Sequence, residues 1–329
     1  MNFSIVIVTY NRKKYLERCL QSIKKQTGLK FQFEVIIIFN GEMSYFSTTK
    51  ADFPHYHCHY LSKTTPSDAR NYAVTKCRGD YVFFLDDDCY LPENYFENLN
   101  LDMEWDVLGG PDMTPPDAST FEKNLGHALS SPLCMGFTYK RHYVHTTEIN
   151  VPANESKLIL CNLWFKKEIF THQGFKFSNN LFRNEENFLL KQLKDINKKI
   201  LYNSKLSVFH SRKSDLKSLI LTIIKSGECR VKNFSQLPES QELIYFLPMV
   251  FLLLFFYWML NPLSLLGYGF LIYTLLVISY VVIYKKQLKP MVIILHYVIL
   301  ISYAFGLLVG LKNYLEFIWT QREKSKTPL

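Results

Sequence analysis

A mostly parallel α/β domain followed by membrane helices is the fold class this sequence predicts, on three observations. In the first 242 residues, short β-rich apolar runs alternate with amphipathic stretches, the pattern of strands joined by crossover helices. Those runs end in polar or acidic clusters ("TYN", "FNG", "DDD"), as strands do when their carboxyl ends face a ligand. From Leu243 to Leu311 the chain is almost purely apolar apart from one basic break, and each apolar segment is close to the roughly 20 residues that cross a bilayer.

"FSIVIVTYN", Phe3 to Asn11, is short, β-rich and apolar on both faces, which predicts a buried strand. Tyr15, Leu16, Cys19, Leu20 and Ile23 then recur at helical spacing, with Asn11 the expected N-cap. "FEVIIIFNG" predicts a second buried strand closing on the turn signal Asn40-Gly41, and "YHCHYLS" a third. "DARNYAVTKCRGD" reads as a short helix stopped near Gly79, and "YVFFLDDD" as the fourth strand. Further on, "WDVLGGPDMTPP" is a strand leading into a loop, and "KLILCNLWFKKEIF" a strand running into a helix. "NEENFLLKQLKDINKK" is amphipathic, with Phe188, Leu189, Leu193 and Ile196 on one side. A strand near Val208 to His210 ends the globular part. The ends of the first, second and fourth strands, at Thr9-Tyr10-Asn11, Asn40 and Asp86-Asp87-Asp88, then line one edge of the sheet.

The 329 residues are enough for one large domain or two ordinary ones, and 48% hydrophobic against 20% charged residues excludes a disordered chain. The net charge of +9 is scattered, with no Arg-rich arm and no zinc-finger spacing. It suits phosphate-bearing ligands and an anionic membrane surface, and no nucleic-acid partner is expected. Seven cysteines without a Cys-x-x-Cys pair argue for a reducing compartment over a disulfide framework or structural zinc. The N-terminus runs straight into a strand pattern, so no signal peptide is expected.

The apolar segments are Leu243 to Leu260, Leu263 to Tyr284 and Met291 to Leu311; the first is short and carries Pro248. The break "KKQLK" is expected on the cytoplasmic side by the positive-inside rule. A cytoplasmic N-terminal domain followed by three spans satisfies this, but leaves the basic tail "QREKSK" outside, against the rule. Either the first segment lies in the interface, or the tail tolerates the mismatch. The expected organisation is a globular domain over 1–235, a linker over 236–242, a membrane region over 243–311 with two or three helices, and a basic tail over 312–329.

Three adjacent carboxylates, Asp86, Asp87 and Asp88, repel one another and resist leaving water. A divalent cation resolves the repulsion, since Mg²⁺ and Mn²⁺ prefer carboxylate oxygens and bridge to substrate phosphates. Alternation along a strand sends Asp86 and Asp88 one way and Asp87 the other, so Asp88, with Asp86, is expected to face a bound nucleotide. A solvated acidic loop is the competing reading, but a loop seldom follows so clean a buried strand. His55, His57 and His59 share one strand face, yet same-face neighbours lie too far apart for three to hold one tetrahedral ion. "GGPDMTPP" has the glycines of a phosphate loop but follows a later strand and lacks the Lys-Ser/Thr ending.

"SIVIVTYNR", "ARNYAV", "CRGDYVFFLDDD", "CNLWFKKEIF", "NEENFLL" and "SVFH", in that order from the start to about Lys213, resemble the family 2 glycosyltransferases of GT-A fold. The resemblance makes 1–235 a GT-A catalytic domain and implies transfer from a nucleotide-sugar donor with inversion at the anomeric carbon. It implies a metal on Asp88, with Asp86 beside it, and His210 at a position that can complete the metal shell. Donor binding falls on Thr9, Tyr10, Asn11, Arg12, Asn40, Arg70, Asp86 and Asp87; an arginine matches phosphate geometry. The family's catalytic base is the second acid of a Gly-Glu-Asp-like motif, here Glu186, with Glu185 the competitor one residue away. "GGPDMTPP" resembles the family's acceptor-side strand and loop. One departure is that the family's nucleobase-reading acid at the end of the second strand corresponds to Phe39, followed by Asn40-Gly41. The donor is therefore a UDP-, GDP- or other nucleotide-sugar.

The expected partners are that donor, a lipid-linked or glycan acceptor and a membrane; self-association is compatible with the sequence. The expected setting is cell-surface polysaccharide or glycolipid assembly by a multi-pass protein of a bacterial inner membrane, with its catalytic domain cytoplasmic. Two alternatives differ in class. A nucleotidyltransferase of related fold wants a glycine-rich first loop, and "VTYNRKKY" has no glycine. A membrane scaffold that lost catalysis has no need of Asp86, Asp88, Arg70 and Glu186, and metal-dependent hydrolysis of a nucleotide-sugar separates it from an enzyme.

Overall fold

The computed structural model describes residues 2–26, 30–41, 55–144, 147–181, 183–236, 238, 240–285 and 289–326. The chain folds as two compact units, one of 1–118 and 137–212, the other of 119–136 and 213–329. In chain order the first unit contains β1 (Phe3–Thr9), α1 (Lys13–Lys24), β2 (Phe33–Asn40), β3 (Tyr56–Leu61), α2 (Pro66–Val74), β4 (Tyr81–Leu85), β5 (Cys89–Tyr90), β6 (Val107–Gly109) and β7 (Asp112–Met113). The segment 119–136, part of the second unit, carries α3 (Thr120–Leu129) and α4 (Pro132–Met135). The first unit resumes with β8 (Val151–Pro152), β9 (Asn162–Lys166), α5 (Glu168–Thr171), α6 (Glu185–Asp195), β10 (Ile200–Tyr202) and β11 (Val208–His210).

One sheet in the order β3-β2-β1-β4-β9-β6-β10-β8 forms the frame of the first unit. β1 pairs in parallel with β2 and β4, β2 with β3, and β6 with β10; β9 runs antiparallel between β4 and β6. The unbroken apolar runs of β1, β2 and β4 are explained by burial on both faces. Phe3, Ile5 and Ile7, with Val35, Ile37, Phe39, Phe83 and Leu85, pack on one face beneath Leu16, Cys19, Leu20 and Ile23 of α1. Val6, Ile36, Ile38, Val82 and Phe84 pack on the other face against α2 and α6. Phe83 lies flat on Trp164 of β9, with centroids 4.2 Å apart. Truncating such a ring to alanine costs about 3–5 kcal/mol.

Local details depart from the sequence expectations for identifiable reasons. Asn11 does not cap α1: it sits in a left-handed turn with φ 52°, and Arg12 occupies the N-cap position. α2 starts at Pro66, where Thr65 accepts a bond from the Asp68 amide, and ends at Val74, before Gly79. Gly79 is needed for another purpose. A Cβ there would strike the Phe3 backbone, and its N–H donates to Ser4 Oγ at 2.9 Å. On α6 the buried apolar side chains are Leu189, Leu190 and Leu193, while Ile196, just beyond the helix, is exposed. β3, the third strand expected from "YHCHYLS", lies at the edge of the sheet, and its Tyr60 is exposed.

The second unit is helical, adding α7 (Leu216–Gln236), α8 (Leu247–Leu260), α9 (Leu265–Lys285) and α10 (Pro290–Lys326) to α3 and α4. The boundary expected at 235, with a linker to 242, lies at the end of α7 and inside this unit. Ser119 and Glu122 form a reciprocal capping box at the start of α3. Leu125, Ala128, Val277, Val281, Val292, Leu295 and Ile299 make the unit's core. α7 lies close against α10, where a Cβ on Gly306 would collide with the Ile224 carbonyl. Among the described residues, three stretches are long and apolar enough to cross a membrane: Glu242–Leu260, Leu265–Ile283 and Pro290–Thr320. Large apolar side chains on these stretches, Leu253, Leu265 and Ile283 among them, are exposed. The "KKQLK" break falls largely on 286–288, outside the described residues.

Candidate active site

The acidic run begins where the sheet stops. β4 ends at Leu85, and the Cys89 amide bonds the Asp86 carbonyl at 3.0 Å to close a turn. Strand alternation therefore does not govern Asp86 to Asp88: Asp86 turns to Arg70, whereas Asp87 and Asp88 meet at the same Arg12 nitrogen. Asp86 bonds Arg70 Nη2 at 3.0 Å. Asp87 accepts from Thr9 Oγ1 at 2.7 Å and from Arg12 Nη1 at 3.1 Å. Asp88 bonds the same Arg12 nitrogen at 2.7 Å and lies 3.3 Å from His210 Nε2. The repulsion noted in the sequence is answered here by Arg12, Arg70 and His210. Burial, then the charge of Asp88, still push the Asp87 carboxyl up to about 6, against Arg12 and the Thr9 bond.

A small second sheet, β5-β11-β7, brings His210 to this cluster. His210 on the central strand pairs with Cys89, the residue after Asp88, and Val208 pairs with Asp112. The Ser211 amide also bonds the Asp88 carbonyl at 3.0 Å. His210 Nδ1 faces Asp112 Oδ2 at 2.6 Å, opposite its Nε2 contact with Asp88. Burial alone would lower the His210 pKa; Cys161, Asp88 and the bonds to Asp112 and Asp88 outweigh it and hold the ring well above its ordinary value. Asp112 is fully buried and also bonded by His142 Nδ1 and by Arg212 at 2.8 and 3.1 Å. Burial opposes its ionisation, yet Arg212 and His142 hold it well below the usual carboxylate range.

At the start of α6 the two glutamates occupy different environments. The preceding Asn184 is left-handed, with φ 60°, and makes no side-chain cap bond. Glu185 is bonded by Arg70 Nη1 at 2.6 Å, so one buried arginine joins it to Asp86. Glu186 is also buried. Burial first, and then the neighbouring Glu185 charge, push its carboxyl up to about 7, against partial relief from Arg141 and Arg70. A buried carboxyl poised near neutrality can take a proton at ordinary pH and hold it.

The remaining expected residues surround the same strand ends. Tyr10 is exposed, with Lys63 Nζ 4.6 Å from its ring centre and 3.3 Å from its hydroxyl. Both ends of the Asn40 amide are bonded to the Thr64 backbone, at 2.8 and 3.0 Å. Phe39 is fully buried and stacked on Tyr60 at 4.9 Å. Among residues that motif reading did not assign to the site, Arg141 bonds the Asn187 side chain at 2.8 Å beside Glu186. Arg141 and His142 lie in the 3₁₀ helix Gly136–His142, which no periodic apolar pattern in the sequence flags. Arg212 had a signal, standing two residues after His210 and so on the same side of an extended segment.

The donor chemistry fits a hard divalent cation. Asp88 Oδ1 and His210 Nε2 stand 3.3 Å apart on partly exposed side chains and offer oxygen and nitrogen. Among the described residues, Cys89, Cys161 and His210 also bring ligand atoms within 4.8 Å of one another. That set is sulfur-rich and suits a softer ion, and its imidazole nitrogen Nδ1 is already bonded to Asp112.

The sequence profile described as Glycosyl transferase family 2 matches residues 4–172. Poly(ribitol-phosphate) beta-N-acetylglucosaminyltransferase TarS of Staphylococcus aureus is 30% identical over 98 residues, 28% of this chain and 17% of that protein. Uncharacterized glycosyltransferase YwdF of Bacillus subtilis is 33% identical over 107 residues, 32% of this chain and 39% of that protein. The chain thus spans well under two thirds of the lengths of these relatives. The mannosyltransferase PcManGT from Pyrobaculum calidifontis, solved with GDP-Man and Mn2+, superposes with a TM-score of 0.63 at 14% identity, covering 93% of this chain and 87% of that one. At that identity the likeness is one of fold.

Proposed function

The chain belongs to glycosyltransferase family 2, and we propose that it is a metal-dependent, inverting enzyme that moves a sugar from a nucleotide-sugar to a lipid-linked or glycan acceptor. The observation that carries this reading is the glutamate pair at the start of α6. Glu185 is ion-paired with Arg70, and Glu186 is buried with its carboxyl pushed up to about 7.

The acceptor hydroxyl gives its proton to the Glu186 carboxylate as its oxygen bonds the anomeric carbon from the face opposite the leaving group. The bond from that carbon to the diphosphate breaks, its electron pair goes to the diphosphate oxygen, and the configuration inverts. Asp88 and His210, with Asp86 nearby, are the residues that would hold a divalent cation. Mg²⁺ or Mn²⁺ bound there supplies Lewis-acid neutralisation of the diphosphate. Arg12, half-exposed and bonded to Asp87 and Asp88, can turn to a phosphate oxygen. Arg70 holds Asp86 and Glu185 in register, so donor-side and acceptor-side carboxylates share one cation. Tyr10 and Asn11 at the open end of β1 suit contact with the nucleotide. Asn40 secures the loop at Thr64 beside them.

The reading extends to the membrane. The segment from Leu243 onward anchors the chain, the catalytic domain is cytoplasmic, and the acceptor is carried on a lipid such as a polyprenyl phosphate. Three apolar helices in the same chain and the basic break after the second support it. The test is a donor screen on the purified full chain with Mn²⁺ and native membrane lipid. The proposal expects transfer or slow hydrolysis of one nucleotide-sugar, lost on chelation, with inverted product configuration. A retained configuration, or turnover indifferent to chelator, contradicts it. Protease added to sealed cells should spare the N-terminal domain, and digestion there would overturn the topology.

A further inference from the structure

Asp112 is fully buried and accepts more bonds than charge neutralisation asks for. Arg212 grips it with Nη1 on Oδ2 at 2.8 Å and Nη2 on Oδ1 at 3.1 Å, and Nη2 also bonds its carbonyl at 2.9 Å. That grip alone pairs the buried charge. Two histidines nevertheless turn their Nδ1 atoms onto the same carboxylate: His142 on Oδ1, and His210 on Oδ2 at 2.6 Å. His142 and Arg212 together fix the carboxylate from both oxygens. The third partner, His210, is the one whose other nitrogen faces Asp88, 3.3 Å from Oδ1.

The order of the small sheet explains the arrangement. β11 is central, Asp88 immediately precedes the edge strand β5, and Asp112 opens the other edge strand β7. The imidazole therefore spans the sheet from one aspartate to the other. An imidazole that donates Nδ1–H to a carboxylate cannot rotate away, and it offers its Nε2 lone pair to an ion that displaces the Nε2 proton. Cys161 Sγ, 3.8 Å from Nδ1, is too weak an acceptor to fix the ring in this way.

We propose that Asp112 is the positioning residue of the cation site, holding His210 in the orientation and tautomer that present Nε2 beside Asp88. The inference rests on the reading of Asp88 and His210 as cation ligands. It assigns Asp112 to neither base nor ligand, since both of its oxygens are occupied by buried partners.

The test is Mn²⁺ binding alone, without nucleotide, to the purified full chain, read from the spin-resonance signal of free Mn²⁺. Asp112→Asn keeps the shape but can turn an amide N–H toward Nδ1, which forces the proton onto Nε2. The expected loss of Mn²⁺ affinity is about ten- to a hundredfold. In a His210→Gln background the same substitution should change affinity by no more than about twofold, the scatter of independent sites. Equal losses in both backgrounds mean that Asp112 acts only through general structure, and unchanged affinity of Asp112→Asn means that it does not act at all; either overturns the inference. Should Asp112→Asn fail to fold because Arg212 is left unpaired, the charge-neutral pair Asp112→Asn with Arg212→Gln is compared in the same two backgrounds, with the same expectation. If the wild-type chain itself binds no Mn²⁺, the cation reading of Asp88 and His210 fails, and this inference falls with it.

Discussion

Two clusters of carboxylates lie at ends of secondary-structure elements in the first unit; burial raises the pKa of one acid in each, Asp87 and Glu186, but the cations around them are distributed differently. At the end of β4 every member has a cation or hydroxyl in hand: Asp86 has Arg70, Asp87 has Arg12 and Thr9, and Asp88 has Arg12 and His210. At the start of α6, Glu185 takes Arg70 and leaves Glu186 buried beside a like charge. The same chemical group is thus prepared for two tasks. A cluster already balanced by cations can exchange one cation for another. A buried acid denied its own full counter-charge has a reason to accept a proton. In the proposed mechanism, neighbourhood rather than residue type separates the donor-side acids from the base.

The sharpest way to break that contrast is to remove the base while keeping its shape. Glu186→Gln should lower turnover by about a hundred- to ten-thousandfold with donor binding intact, as measured at saturating donor. If Glu185→Gln is instead the dead variant, the two roles are reversed. Next in size is Asp88→Ala. Residues that merely orient a ligand cost about ten- to a hundredfold in metal affinity, so removing a ligand should cost at least about a hundredfold in Mn²⁺-dependent donor binding by calorimetry. Glu185→Gln strips Arg70 of one of its two charged partners. It should lower unfolding stability by about 1–3 kcal/mol, read from denaturant midpoints. The smallest effect belongs to Asn40→Asp, which still accepts from the Thr64 amide but no longer donates to its carbonyl. A loss of about 0.5–1.5 kcal/mol is expected by the same measurement.

The two regions also differ in how far the sequence revealed them. The β1, β2 and β4 runs were legible because burial on both faces leaves a continuous apolar signature, and the long spans because lipid demands one. Asp86 to Asp88 were legible as a cluster, but their directions were not, because the strand ends at Leu85 and a turn obeys no two-residue period. Asn11 looked like an N-cap from composition alone, whereas the chain uses its tolerance of left-handed φ. Asp112, His142 and Arg212 converge from β7, the stretch Gly136–His142 and the residues after β11. No local pattern announces a bond between residues about a hundred positions apart, such as Asp112 and Arg212. Glu185 and Glu186 were legible as an acidic pair; which one Arg70 would claim was not.

In the proposed mechanism Glu186 is the base, and the neighbouring Glu185 charge helps to raise its pKa. The most direct test is the pH dependence of turnover at saturating donor and metal, in wild type and in Glu185→Gln. A base must be deprotonated to act, so wild-type turnover should rise with pH through about 7 and level off above it. Removing the Glu185 charge removes a repulsion that favours the protonated form of Glu186, so the rising limb should move to lower pH. A limb that stays in place, or moves to higher pH, would contradict the claim.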